Sequence, residues 1–164
     1  MAIDTEDHTV LSNIALAIAR AASEYGCDGT ALLADAGIDP DDAQEPDSRI
    51  SVVAHQRLWR LAIDRTDNPC LAIKVGEALP PGAIHGLGLG WLASDTLKSA
   101  LERLVRFQRL VSTNADIQLT ETNDCYELIG QPRRTPKNFE PASADALMVL
   151  TLRLCRLALS ESLT

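Results

Sequence analysis

Basic charge is the first thing this sequence lacks. Lys and Arg number 15 against 23 Asp and Glu, which leaves a net charge of −8 at neutral pH. Nucleic-acid affinity rests on cations that displace counterions from phosphates, so the chain by itself is not expected to hold DNA. Aromatic residues are also scarce, at 4%, which leaves few platforms for stacking bases. Long apolar runs are missing too. Residues 142 to 159 come nearest to a membrane span, and Asp145, Arg153 and Arg156 interrupt them, so no span is expected.

The four cysteines, Cys27, Cys70, Cys125 and Cys155, lie far apart with no CxxC pair. No secretory leader is read at the N-terminus, so the expected setting is a reducing cytoplasm with buried structural thiols. The three histidines, His8, His55 and His85, share no metal-ligand spacing. His55 stands one turn before Trp59, where a hydrogen-bonded, partly buried imidazole is expected. There is no GxSxG, no HExxH and no nucleophile–base arrangement. No metal, cofactor or catalytic residue is therefore expected. The carboxylates between Asp39 and Asp47 share their segment with two prolines and read as a solvated loop.

What is present fits one globular domain. Hydrophobic residues make up 46% of 164, enough to bury a core. The stretch TVLSNIALAIARAASEYG puts Val10, Ile14, Ile18, Ala21 and Tyr25 on one helical face and ends at Gly26. TALLADAG is a second, short helix. Ser51 is placed to cap a third, VVAHQRLWRLAIDRT, and Pro69 to open a fourth, CLAIKVGEAL. Ser94 or Asp95 is expected to cap TLKSALERLVRFQRLVS. Past residue 114 the apolar period shortens to two, and ADIQLTET and CYELIG flank Asn123-Asp124 as a β-hairpin. A last helix, PASADALMVLTLRLCRLALS, is apolar on most sides and must be covered by something. The expected fold class is α+β: an N-terminal helical bundle, an antiparallel hairpin or small sheet, then a further apolar helix.

Three glycines, Gly86, Gly88 and Gly90, precede the capped helix in HGLGLGWL. They fail the dinucleotide fingerprint, because no strand leads in and Trp91 occupies the third place. They fail the P-loop as well, since no Gly-Lys-Ser/Thr follows. Close packing beside the hairpin or a facing helix is the expected role, with lining of an internal pocket as the alternative. His85, at the start of this segment, can cap backbone, touch a ligand or coordinate a haem iron. The segment TALLADAGIDPDD has the outline of a helix-turn-helix, but prolines and acids break its recognition helix.

Taken in order, LLADAGIDP, SRISVVAHQRLWRLAIDRTDNPCLAIKVGEAL and HGLGLGWLASDTLKSALERLVRFQRL resemble the N-terminal, arabinose-binding-like domain of AraC-type transcription regulators. Gly86-Leu87, Ser94, Thr96-Leu97, Ala100-Leu101 and Phe107 carry the match. Asp95 stands where the family has proline. The resemblance implies residues 1–164 are a single N-terminal regulatory domain, truncated ahead of C-terminal helix-turn-helix units through which DNA would be bound. It also implies a small-molecule effector of unknown identity and no enzymatic activity. A pocket for it is expected among His85, Trp91, Phe107, Trp59 and Tyr126. Leu147, Leu150, Leu154 and Leu157 on the last helix point to a homodimer. Two other readings compete. One is a protein–protein module with no ligand, and the other is a haem or redox sensor using His85 or a cysteine.

Overall fold

The structure is a computed structural model and describes residues 8–45, 47–133 and 140–158. Among these residues are two small antiparallel sheets and seven α-helices, so the fold is α+β and mostly helical. The first strand is β1 (Thr9–Leu11), followed by α1 (Ser12–Ser23) and α2 (Gly29–Ala36). An acidic loop with one 3-10 turn leads to β2 (Arg49–Ser51) and α3 (Val52–Thr66). Then come α4 (Leu71–Ala78), a 3-10 turn at Pro81–Ile84, α5 (Gly86–Leu92) and α6 (Leu97–Phe107). The hairpin β3 (Ala115–Glu121) and β4 (Tyr126–Pro132) precedes the last helix, α7 (Ala142–Ala158).

Local chemistry sets most of these boundaries. Ser51 accepts from the Ala54 amide at 3.1 Å and caps α3. At α6 the cap is Thr96, not Ser94 or Asp95: its hydroxyl accepts from the Ser99 amide at 3.1 Å, and Ser99 bonds back. Gly37 ends α2 at φ 82°, the left-handed conformation that glycine adopts without strain. The hairpin register pairs Leu119 with Leu128 and Glu121 with Tyr126.

The N-terminus departs from a single long helix. Thr9–Leu11 pairs with Arg49–Ser51 instead, and the Thr113 amide donates to the Thr9 carbonyl at 2.9 Å. Arg49 clamps the junction, its guanidinium reaching the carbonyls of Thr9 and Leu110 at 3.3 and 2.7 Å. Backbone groups with partners about 40 and 104 positions away take the strand that local periodicity assigned to a helix. Tyr25 lies past the end of α1 and is exposed rather than packed.

The glycine segment is itself helical. Three glycines cost α5 about 1 kcal/mol each, but Leu87 and Trp91, one turn apart, are both buried. Burial of a leucine and a tryptophan contributes roughly 5 kcal/mol, and that decides the matter.

Helix α7 is covered by α4. At their crossing, a Cβ on Gly76 would stand 2.7 Å from the Ala146 carbonyl oxygen and 2.7 Å from the Val149 Cβ. The backbones therefore approach more closely than any side chain allows. This contact buries Ala142, Ala146, Leu150 and Leu154, so Leu150 and Leu154 are core and not an exposed stripe. Met148, Leu152 and Leu157 are the exposed large hydrophobic side chains of this helix. The thiols also differ from the expectation of burial. Cys27 and Cys155 are half-buried, whereas Cys70, beside the start of α4, and Cys125, in the hairpin turn, are exposed.

Candidate functional site: a cavity between α3, the hairpin and α7

A cavity of about 490 Å³ opens between these elements, within the size range of small-molecule sites. Its floor is α3, where His55 and Trp59 lie one turn apart and both are buried. Leu79, Ile84 and Leu87 close one side, and Leu104 with Ile117 another. The mouth lies between β4 and the start of α7, where the exposed residues Ile129, Gly130, Ala144 and Met148 line it. An ideal Cβ on Gly130 would stand 3.9 Å from the Met148 Cε, so the two lips come within contact distance.

The floor is organised by one hydrogen bond. Trp59 Nε1 donates to His55 Nε2 at 3.1 Å, with the rings edge-on at 80° and 6.3 Å between centroids. Burial lowers the His55 pKa to about 4, because desolvation disfavours the imidazolium. The ring is therefore neutral at pH 7. Acceptance at Nε2 fixes its proton on Nδ1.

Two glutamines hold the walls. Gln56 Nε2 donates to Ser143 Oγ at 3.2 Å, while its Oε1 accepts from the Glu140 amide, tying the start of α7 to α3. Gln108, just beyond α6, receives the Ile117 amide on Oε1 at 2.6 Å and returns a bond to the Ile117 carbonyl at 3.1 Å. It thereby joins β3 to the end of α6. Neither glutamine was legible as a site residue, because Gln is ordinarily exposed and both partners are remote in sequence or in another element.

Of the five residues expected at a pocket, the cavity takes Trp59. Trp91 is buried nearby, but its indole N–H is spent on the Leu154 carbonyl at 3.1 Å. His85 faces elsewhere. Its Nδ1 is 3.0 Å from Asp47 Oδ1, and its Nε2 is 3.5 Å from Asn13 Nδ2, so it joins α1 to the acidic loop. Its backbone has φ 52° and ψ −139°, a strained region for a residue with a Cβ. Phe107 is exposed with the Arg106 guanidinium 5.6 Å from its ring centroid. Tyr126 is exposed at the hairpin end, where its hydroxyl donates to Glu121 Oε1 at 2.9 Å and Lys98 lies over its ring. That Lys98–Glu121 pair raises the lysine pKa and lowers that of the carboxyl.

The glycines divide as well. A Cβ on Gly88 would overlap the Pro81 carbonyl, so the close neighbour is the preceding 3-10 turn and not the hairpin or a facing helix. A Cβ on Gly86 would meet nothing within 4 Å, and one on Gly90 only the Arg103 side chain at 3.7 Å.

The whole chain from Gly26 onward now has a counterpart. Residues 26–164 match the family model described as the arabinose-binding domain of AraC transcription regulators, at their N-terminus. The chain belongs to this family. Comparison of this AraC-type domain with curated proteins gives no match. Membership makes it a ligand-binding regulatory domain of a kind that is not an enzyme family. Among the described residues no helix of this AraC-type domain is long and apolar enough to cross a membrane, and no three His, Cys, Asp or Glu gather as a metal site.

Proposed function

We propose that this domain is the effector-binding and dimerising part of an AraC-type regulator, and that its effector occupies the cavity above His55 and Trp59. The observation that carries the proposal is the cavity itself: about 490 Å³, apolar-walled, and open at a mouth formed by two separate elements. A molecule held there would touch the hairpin and α7 together. It would favour whichever spacing of the two it binds better, and that preference is the coupling a regulator needs. DNA contact belongs to a separate domain of the regulator, because an acidic unit of net charge −8 repels phosphates. The setting is the cytoplasm, with no membrane contact and no catalysis.

The homodimer is supported by the outer face of α7, where Met148 and Leu152 lie exposed one turn apart. Sedimentation at micromolar concentration should give a dimer, and a monomer would remove this part of the proposal. For the effector, a thermal-shift screen across sugars, amino acids, organic acids and neutral apolar metabolites is the direct test. A ligand at a hundred times its Kd stabilises the folded state by about 2.7 kcal/mol. Such a hit should vanish in Gly130→Phe, which blocks the mouth. A folded dimer with no hit would instead support an interaction module without a ligand.

A further inference from the structure

Resting on the reading of this cavity as the effector site, we infer that the effector is an uncharged, largely apolar molecule whose hydrogen-bond acceptor, such as a carbonyl oxygen, is held by the Nδ1–H of His55. The argument comes from counting what the walls offer a ligand. Leu79, Ile84, Leu87, Leu104, Ile117 and Leu150 present only hydrocarbon. The polar side chains that also line the space are mostly committed to the framework. Gln56 is spent on Ser143 and the Glu140 amide, and Gln108 on Val105 and both backbone groups of Ile117. Thr151 donates to the Leu147 carbonyl at 2.8 Å, Ser143 to that of Glu140 at 3.1 Å, and Asn114 is likewise partnered.

His55 is different. It is 93% buried, its Nε2 is taken by Trp59, and among the described residues its Nδ1 has no hydrogen-bond partner. Among the described residues Arg60 Nε is the fully buried side-chain nitrogen left without a partner, so Nδ1 keeps some exposure, and the space beside it is the cavity. The ring lines the cavity, so a ligand oxygen there supplies the missing partner.

The same inventory discriminates between ligand classes. The described lining residues present no Lys, Arg, Asp or Glu, so a carboxylate or ammonium entering the cavity would lose its hydration without gaining a counter-charge. A free pentose brings several hydroxyls to a wall that is mostly hydrocarbon and whose inner polar side chains are spent within the protein, and most of them would go unpaired. The arabinose of the family's description is therefore not the molecule these walls suit. A neutral chain or ring with one oxygen fills the apolar space and satisfies His55 together.

The test uses the intact chain and three probes: 2-nonanone, nonanoate and L-arabinose. Binding is followed by calorimetry at pH 7.5, with the His55 Nδ1–H resonance observed by NMR. The ketone should bind at least tenfold more tightly than nonanoate, L-arabinose should not bind, and the Nδ1–H resonance should shift when the ketone is added. His55→Phe should weaken the ketone at least tenfold, and Gly130→Phe should abolish its binding while leaving the Tm near that of the parent. Because His55→Phe also deprives Trp59 of its acceptor, the NMR shift and Gly130→Phe carry the test if that variant unfolds. Tighter binding of nonanoate or L-arabinose, lost in Gly130→Phe, overturns this inference and leaves the effector site standing. Ketone binding that is indifferent to Gly130→Phe overturns both. No binding by any probe overturns this inference, and the broad screen then decides the cavity's role.

Discussion

Acidification should destabilise this domain through His55 in a window set by its burial. The unfolded ring has a pKa of 6.5 and the folded one about 4. Between those values the unfolded state binds more protons, so stability rises with pH across the window. The contribution is fully present above pH 6.5 and is lost as pH falls toward 4. With these two values, linkage gives a loss of about 2 kcal/mol between pH 7 and pH 5 from this ring alone. Urea unfolding at pH 7, 6 and 5, followed by tryptophan fluorescence and circular dichroism, measures it. At a slope of roughly 2 kcal/mol per molar, the midpoint should fall by about 1 M from this ring. His55→Phe starts lower, because Trp59 Nε1 loses its acceptor, but it should lose about 2 kcal/mol less than the parent over the same interval. Parallel pH profiles for parent and variant would refute the reasoning, since the imidazole would then not be buried neutral.

Three further outcomes follow from the packing. Gly88→Ala forces a methyl group onto the Pro81 carbonyl and should cost about 3 kcal/mol, whereas Gly90→Ala, with its nearest neighbour at 3.7 Å, should be neutral or stabilise α5 by up to about 1 kcal/mol. Equal Tm values for the pair would contradict the close approach. Gly76→Val separates α4 from α7 and should lower the Tm by roughly 6–12 °C, for a loss of about 3 kcal/mol; an unchanged Tm would mean that the helices do not cross there. Gln108→Leu strips both backbone groups of buried Ile117 of their side-chain partner. A loss of about 2–4 kcal/mol should result, with hydrogen exchange speeding up first in β3 and β4, and retained protection there would show that the hairpin does not depend on this bracket.

Much of the local chemistry was legible where its partners were near in sequence. Ser51 announces α3, Gly37 stops α2, and the switch from a helical period to strict alternation after residue 114 marks the hairpin. Each is a decision between a residue and neighbours a few positions away, which a linear reading contains. The order of such signals also carried the resemblance that the family match over residues 26–164 supports.

Most of the departures involve distant partners. Val10 reads as helical until Ile50 and Ser112 come to pair with it. Gly76 sits unremarked in its helix, yet Ala146, 70 positions away, is what requires a residue without a side chain there. The candidate pocket residues were chosen as aromatics and histidines near the glycine segment. Only folding could place Trp91, Phe107 and Tyr126 away from the cavity and leave Trp59 in its floor. Sequence alone therefore determined which segments are helix and strand, where most of them are capped, and that this chain has an acidic surface and an AraC-type pattern. Tertiary structure alone decided where the empty space lies, because a cavity is the gap left between elements whose approach is set by contacts such as Gly76 on Ala146 and Gln108 on Ile117.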